Sequence, residues 1–479
     1  MNTPSAEGLS RPGGYAELLR VAYPLIISMG SFTLMQFCDR MFLAWHSAIS
    51  IQAALPAGIL SFTLVCGFMA LAGYANTFVA QYHGAGDREN CSRATAQGVF
   101  LSLLSAPALF ALIPAGVAML RLSGHGPAVL DEEIAYFVIL MYGAVASPLG
   151  AAISSFFAGR GDTRTTMLAN LAGNAVNIVL DYAMIFGRWG LPEMGIRGAA
   201  WATVIAGFIA PAILFAVYLA EPWRTRYGTR RLFRPDRALM SRMIRFGFPS
   251  AAHLVLDVGS FTLFVLLVGR LGPAALAASN IAFSINNIAF MPLIGLSIAA
   301  SILVGQYQGR GDSRVAERSG WTALKVGWFY MGVIALSFVL FPRLYLGLFA
   351  GRGPGSLPLA DLLPVGRILL VMMAAWGMLD AVNVILSGAL KGAGDTRFVM
   401  YYSVLMGWCV WIVGEAALLR FFGGRLFHLW AWLTVYVWIL AAGFFWRYRS
   451  GAWKKIELIE RQTPLQPNRP GAEALVVAE

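Results

Sequence analysis

The sequence predicts an all-α membrane protein of twelve transmembrane helices, in two six-helix lobes related by a pseudo-two-fold axis along the membrane normal. Three observations carry that prediction. The first is composition: of 479 residues, 58% are apolar and only 13% charged, about half the charged share of an ordinary soluble domain. That balance excludes a soluble protein, a disordered one and a nucleic-acid-binding module. The second is run length. A helix needs about 20 apolar residues to cross the hydrocarbon, and the runs here are continuous, whereas the strands of a membrane β-barrel would alternate. The third is repetition. VAQYHGAGDR at 79–88 returns as VGQYQGRGDSR at 304–314, and SSFFAGRGDTR at 154–164 returns as LSGALKGAGDTR at 386–397, with offsets of 225 (Asp87 to Asp312) and 233 (Asp162 to Asp395). Six spans per half is an even number, so both halves enter the membrane from the same side.

The spans fall near residues 16–44, 52–81, 95–120, 133–159, 165–187 and 198–220 in the first half. In the second they fall near 246–269, 275–306, 319–350, 365–390, 398–419 and 426–446. The first stretch is expected to be a retained span, because MNTPSAEGLSRPGGYAELLR has neither the short apolar core nor the cleavage site of a signal peptide. The GAGDR and GRGDTR connections lack the GxxxxGK[ST] pattern of a phosphate loop, and their Asp and Arg residues read as helix caps or local pairs. The domain reading is a segment 1–15, an N-lobe 16–220, a basic linker 221–240, a C-lobe 241–449 and a disordered tail 450–479 rich in Gln, Pro and Glu. The larger second offset fits a longer outer connection, GRGPGSLPLADLLP at 351–364.

The formal charge of +12 is topological. With the N-terminus inside, 26 of the 36 Lys and Arg residues fall on the inner side and 10 on the outer, which places both termini in the cytoplasm. Cys38, Cys66, Cys91 and Cys409 have no regular spacing and read as packing residues.

The functional signal is of the opposite sign. Asp39, Asp181, Asp257, Asp380 and Glu415 lie within apolar spans, where an aspartate near the centre costs roughly 2.5–3.5 kcal/mol. Each needs a cavity, a cation, a partner or a proton. No lysine or arginine other than Arg40 reads as lying at comparable depth. On the fifth span Asn170, Asn174, Asn177 and Asp181 recur at i, i+4, i+7 and i+11, one helical face. Such a face offers oxygen ligands to a small cation, or interhelical hydrogen bonds. Asn280, Asn286 and Asn287 of the eighth span are candidates to line a second cavity, or to bond between helices. His253, one turn before Asp257, is placed to tune that acid.

At this point the residues resemble a family, the multidrug and toxic compound extrusion (MATE) transporters, over about 15–448. The resemblance is carried by the four GxGD connections, Pro24 fifteen residues before Asp39, Asn177 and Asp181 followed by GIRGAAWAT with Thr203, and Asp380 fifteen residues before Asp395. It implies a polyspecific antiporter that exports lipophilic, often cationic compounds by alternating access, driven by sodium or protons and without a cofactor. It also implies an N-lobe cation site, a sodium site in a sodium-coupled member, at the positions of Asp39, Asn177, Asp181 and Thr203. Coupling acids at Asp257 and Asp380 follow from the same resemblance, which leaves open which lobe couples. The substrate contacts expected are Asp39, Asn174, Asn280, Asn287, Trp376 and Asp380, with Pro24 as a hinge. The partners expected are the lipid bilayer and cationic small molecules, with no nucleic acid, for a monomer. The alternative within the superfamily is a lipid-linked oligosaccharide flippase, whose cavity would be cationic. A membrane enzyme lacks support: there is no HEXXH motif and no clustered histidine.

Overall fold

The computed structural model describes residues 11–348, 359–421, 423 and 425–460. Twelve helices are long and apolar enough to cross a membrane, and no strand occurs among the described residues. They are α1 (Tyr15–His46), α2 (Ala48–Gly84), α3 (Arg88–Ala111), α4 (Pro127–Ala158), α5 (Thr163–Ile185), α6 (Ile196–Leu219), α7 (Arg237–Gly269), α8 (Ala275–Arg310), α9 (Ser313–Leu340), α10 (Leu362–Ala393), α11 (Thr396–Phe421) and α12 (Leu426–Ser450). Several extend beyond the apolar runs, because hydrogen bonding continues past the hydrocarbon edge until a turn signal stops it. Twelve crossings bring both chain ends to one side, the terminal face, where all four GxGD connections also lie.

Those connections are built alike. A glycine in the left-handed region, Gly86, Gly161, Gly311 or Gly394, precedes the aspartate with φ of 78°, 85°, 86° and 98°, a backbone that a β-carbon disfavours. Asp87, Asp162 and Asp312 then cap α3, α5 and α9 through bonds from the backbone N–H of Asn90, Thr165 and Val315. Asp395 departs from the pattern: its carboxylate accepts from Arg447 Nε of α12 at 2.7 Å instead.

The lobes meet through pairs related by the same repeat, α1 with α8 and α2 with α7, and the terminal-face ends of α2 and α8 cross. At that crossing a β-carbon on Gly84 would overlap the Gln306 carbonyl, and one on Gly309 would overlap the Gln81 carbonyl. Both pairs are offset by 225. The glutamines reach outward symmetrically as well. Gln81 Nε2 donates to the Gly392 carbonyl at 3.1 Å, and Gln306 Nε2 donates to the Gly159 carbonyl at 2.8 Å. The repeat read in the sequence is therefore a two-fold seal between lobes, closed on the terminal face.

The lobe boundaries are less clean than the sequence suggests. Leu18, Val21, Ala22 and Leu25 of α1 join the C-lobe core. The linker folds into the N-lobe, burying Tyr227, while Arg160 sits over Phe156, Trp223 and Tyr227 at 3.9–4.8 Å. Burial pulls the Arg160 pKa below its ordinary value, with Tyr227 opposing. The tail is a correction. Residues 452–455 form a short helix, Trp453 is fully buried beside Tyr448, and Leu458 and Ile459 enter the N-lobe core. Gln308 donates to the Lys454 carbonyl, and Lys454 pairs with Glu317 at 2.7 Å. The polar composition that suggested disorder belongs mainly to 461–479, which lie outside the described residues, as do 1–10 and the 349–358 part of the outer connection. Because residues 451–460 bridge the lobes, Leu458→Ala is expected to lower unfolding stability by about 2–4 kcal/mol. Thermal unfolding of purified protein checks this, and a change under about 0.5 kcal/mol would mean the strap carries no load.

Candidate functional site

The polar face of α5 lies against α1, and the two helices run parallel. Thr163 Oγ1 donates to the Val21 carbonyl at 2.9 Å, in the turn loosened by Pro24, whose ring has no N–H to give. Asn170 Nδ2 reaches Ser28 Oγ at 3.5 Å and Asn174 Nδ2 donates to Ser31 Oγ at 2.8 Å. At the top of this ladder Asn177, oriented by its neighbours, donates Nδ2 to Asp39 Oδ1 (3.0 Å) and to Asp181 Oδ2 (3.1 Å). The two carboxyl groups lie within electrostatic reach of each other. Asn177 and Asp181 are buried, Asp39 is half-buried, and Asp181 Oδ1 has no partner. Tyr136 of α4 is buried within electrostatic reach of both acids.

So the structure brings three of the four expected N-lobe residues together. Thr203 Oγ1 donates to the Ala199 carbonyl on its own helix at 2.9 Å, and no bond from it to the acids occurs among the described residues. Asn174 is committed to Ser31. The sequence showed the asparagine face but not its partners, since serines on an apolar helix carry no periodic signal. Tyr136 was missed for the same reason.

In the C-lobe Asp257 (α7) and Asp380 (α10) face each other electrostatically, with Tyr436 of α12 beside both. Asp380 Oδ1 accepts a long bond, 3.4 Å, from Asn383, and Tyr436 stacks on Trp411 at 4.9 Å. Asp257 is exposed at the surface of the helix bundle and Asp380 is half-buried. A crevice of about 10 Å³, room for one water, lies between α7 and α11 and is lined by His253, Asp257, Ser260, Ser403 and Trp408. Alongside it α11 loosens into a π-helix over Leu405–Ile412, a distortion frequent at functional sites. Asn280 and Asn287 are exposed seven residues apart on one face of α8. Trp376 is only 5% exposed, and its Nε1–H has no partner. Glu415 is fully buried and accepts from Trp411 Nε1 at 3.2 Å.

One expectation is overturned. Lys391 reads from the sequence as a residue of the KGAGDTR connection, and Arg40 as the only basic residue at depth. The structure continues α10 through Lys391, three turns beyond Asp380 and on the same face. Its ammonium contacts His253 Nδ1 at 3.3 Å, interacts with Asp257, and its backbone carbonyl accepts from Tyr74 of the N-lobe at 3.2 Å. The lysine's long stem carries the charge back into the bundle from a helix end.

No cluster of three or more His, Cys, Asp or Glu residues suited to a metal occurs among the described residues. The site is a pair of carboxylates bridged by an amide, with a second acidic cleft in the other lobe. The MatE family profile matches residues 24–183 and 249–413, one copy in each lobe. A probable multidrug resistance protein NorM from Thermotoga maritima is 25% identical, with 93% of this chain and 94% of that protein covered. Its counterpart from Pseudomonas putida is 30% identical, with 90% and 94% covered. Two solved structures superpose with a TM-score of 0.82 at 21% identity, each over 95% of this chain and 100% of the other. They are an outward-facing multidrug resistance MATE family transporter and a MOP superfamily transporter from Pyrococcus furiosus with a binding pocket of reversed polarity. With the family profile present in both halves and the fold matched throughout, this chain belongs to the MatE family of membrane transporters.

Proposed function

We propose that the chain is a proton-coupled antiporter that exports lipophilic cations across a bacterial inner membrane, as a monomer with both termini in the cytoplasm. The drug-export reading is supported by the multidrug resistance names of its relatives, and the orientation by the 26-to-10 charge asymmetry. In that orientation the seal closes the cytoplasmic side and the clefts face outward. One chain holds both lobes and therefore a whole cleft.

The observation that carries the coupling assignment is the Asp39–Asn177–Asp181 bridge. Two acids bridged by one amide carry adjacent like charges unless one of them holds a proton, and Asp181 Oδ1 stands without a partner. A hard cation of sodium's kind collects about six oxygens. Here two carboxylates are present, and the amide between them turns its nitrogen rather than its oxygen toward them. Asp257 and Asp380 are the acids left to meet a cationic substrate, with Lys391 answering part of their charge.

Releasing the N-lobe proton leaves two like charges bridged by a single amide, a repulsion of a few kcal/mol (about 4 at 4 Å) at an effective dielectric near 20. The α1–α5 ladder and the Pro24 turn lie below that pair, so the repulsion acts on the helix that joins the two lobe cores. Binding of the proton restores the bridge. The flippase reading is not favoured: the intramembrane aspartates Asp39, Asp181, Asp257 and Asp380 outnumber the basic residues Arg40 and Lys391, and relatives carry drug-resistance names. Vesicles reconstituted with the protein and given proton or sodium gradients separately test the proposal. Ethidium exchange driven by the proton gradient alone is the expected result, and exchange that requires sodium overturns the proton assignment.

A further inference from the structure

We infer that the linker between the lobes holds a binding site for an anionic phospholipid headgroup on the terminal face. An open groove of about 580 Å³ is lined by Arg93, Arg231, Leu232, Arg234, Pro235, Asp236 and Arg237. A topological excess of positive charge requires only number, and a mobile loop would serve it equally well. This loop is instead held in shape from below. Fully buried Gln97 of α3 donates Nε2 to the Arg234 carbonyl at 2.8 Å and accepts from the Asp236 N–H at 2.9 Å. Phe233 packs between Phe100 and Phe215 at 5.1 and 5.8 Å. Asp236 caps the start of α7, its Oδ1 accepting from the backbone N–H groups of Ala238 and Leu239.

The charges in the groove divide in two. Arg231 and Arg93 share Glu89, at 2.9 and 3.8 Å. Arg234 and Arg237 are exposed and make no ion pair among the described residues. Two unpaired guanidinium groups beside a third pair suit a phosphodiester, which each fork can grip with two N–H bonds. What favours a lipid over a free phosphate is the helix beneath. Arg93, Phe100 and Leu104 lie on one face of α3 at i, i+7 and i+11, and Leu103 and Leu104 are 52% and 65% exposed. A headgroup in the groove would therefore lay its acyl chains toward the exposed leucines Leu103 and Leu104, about three turns further along α3. Basic pockets at the ends of spanning helices bind such headgroups by this combination.

The test uses the full chain in a neutral detergent and reads the thermal unfolding midpoint, so it stands whatever the transport assay shows. Phosphatidylglycerol is expected to raise the midpoint by several degrees more than phosphatidylcholine, in the wild type and in the control Arg314→Gln. In Arg234→Gln/Arg237→Gln the half-saturating lipid concentration should rise at least tenfold. Arg234→Lys/Arg237→Lys, which keeps the charge and loses the forks, should fall between. An equal response in the double glutamine variant and the wild type, or no preference for phosphatidylglycerol, overturns the site. A full shift with inorganic phosphate alone overturns its assignment to a lipid.

Discussion

Replacing Gly84 or Gly309 with leucine is expected to abolish transport while leaving a folded protein. Each glycine lies directly on the carbonyl of the partner helix, so an added side chain has no flexible neighbour to displace. Overpacking of this kind costs about 1–3 kcal/mol. At the upper end that shifts the balance between sealed and separated lobes by about a hundredfold. The cost falls on only one state of an alternating cycle, so it appears in turnover before it appears in folding. Gly332, which has open space around it, is the control: Gly332→Ala should transport normally. Dye efflux in a pump-deficient cell at matched protein level measures all three. Normal efflux by Gly84→Leu would show that the lobes separate elsewhere.

The second large effect is expected at the acids. Asp39→Asn removes one of the two carboxylates that Asn177 bridges, and with it one of the two groups proposed to hold the coupling proton. Asp380→Asn removes the acid that faces Asp257 across the C-lobe cleft. Each substitution should return drug resistance to the level of cells without the protein. Asn177→Ala should cost less than Asp39→Asn, because it leaves both titrating groups in place and removes only their common donor, about 1–3 kcal/mol of orientation. Resistance to cationic dyes, read with membrane protein quantified in parallel, decides the matter. Wild-type resistance in both aspartate variants would refute the assignment of coupling to these acids.

Much of this protein is legible in its sequence because a bilayer enforces simple rules. Span count, two-fold repetition and the expense of intramembrane charge follow from backbone hydrogen bonding and solvation in hydrocarbon, and those rules already single out Asp39, Asn177, Asp181, Asp257 and Asp380. They say nothing about which side chains from different helices meet. Ser28 and Ser31 as partners of the α5 asparagines, Tyr136 beside the acids, and Thr203 bonded to its own helix depend on how α1, α4, α5 and α6 are rotated and staggered. Lys391 shows the limit plainly. Its position at a helix end reads as surface, yet a four-carbon stem and a helix that continues through it place its ammonium against His253. The seal is the opposite case. Its motif is visible twice in the sequence, but only the crossing of α2 over α8 shows why it contains glycine: two backbones approach there more closely than any β-carbon permits.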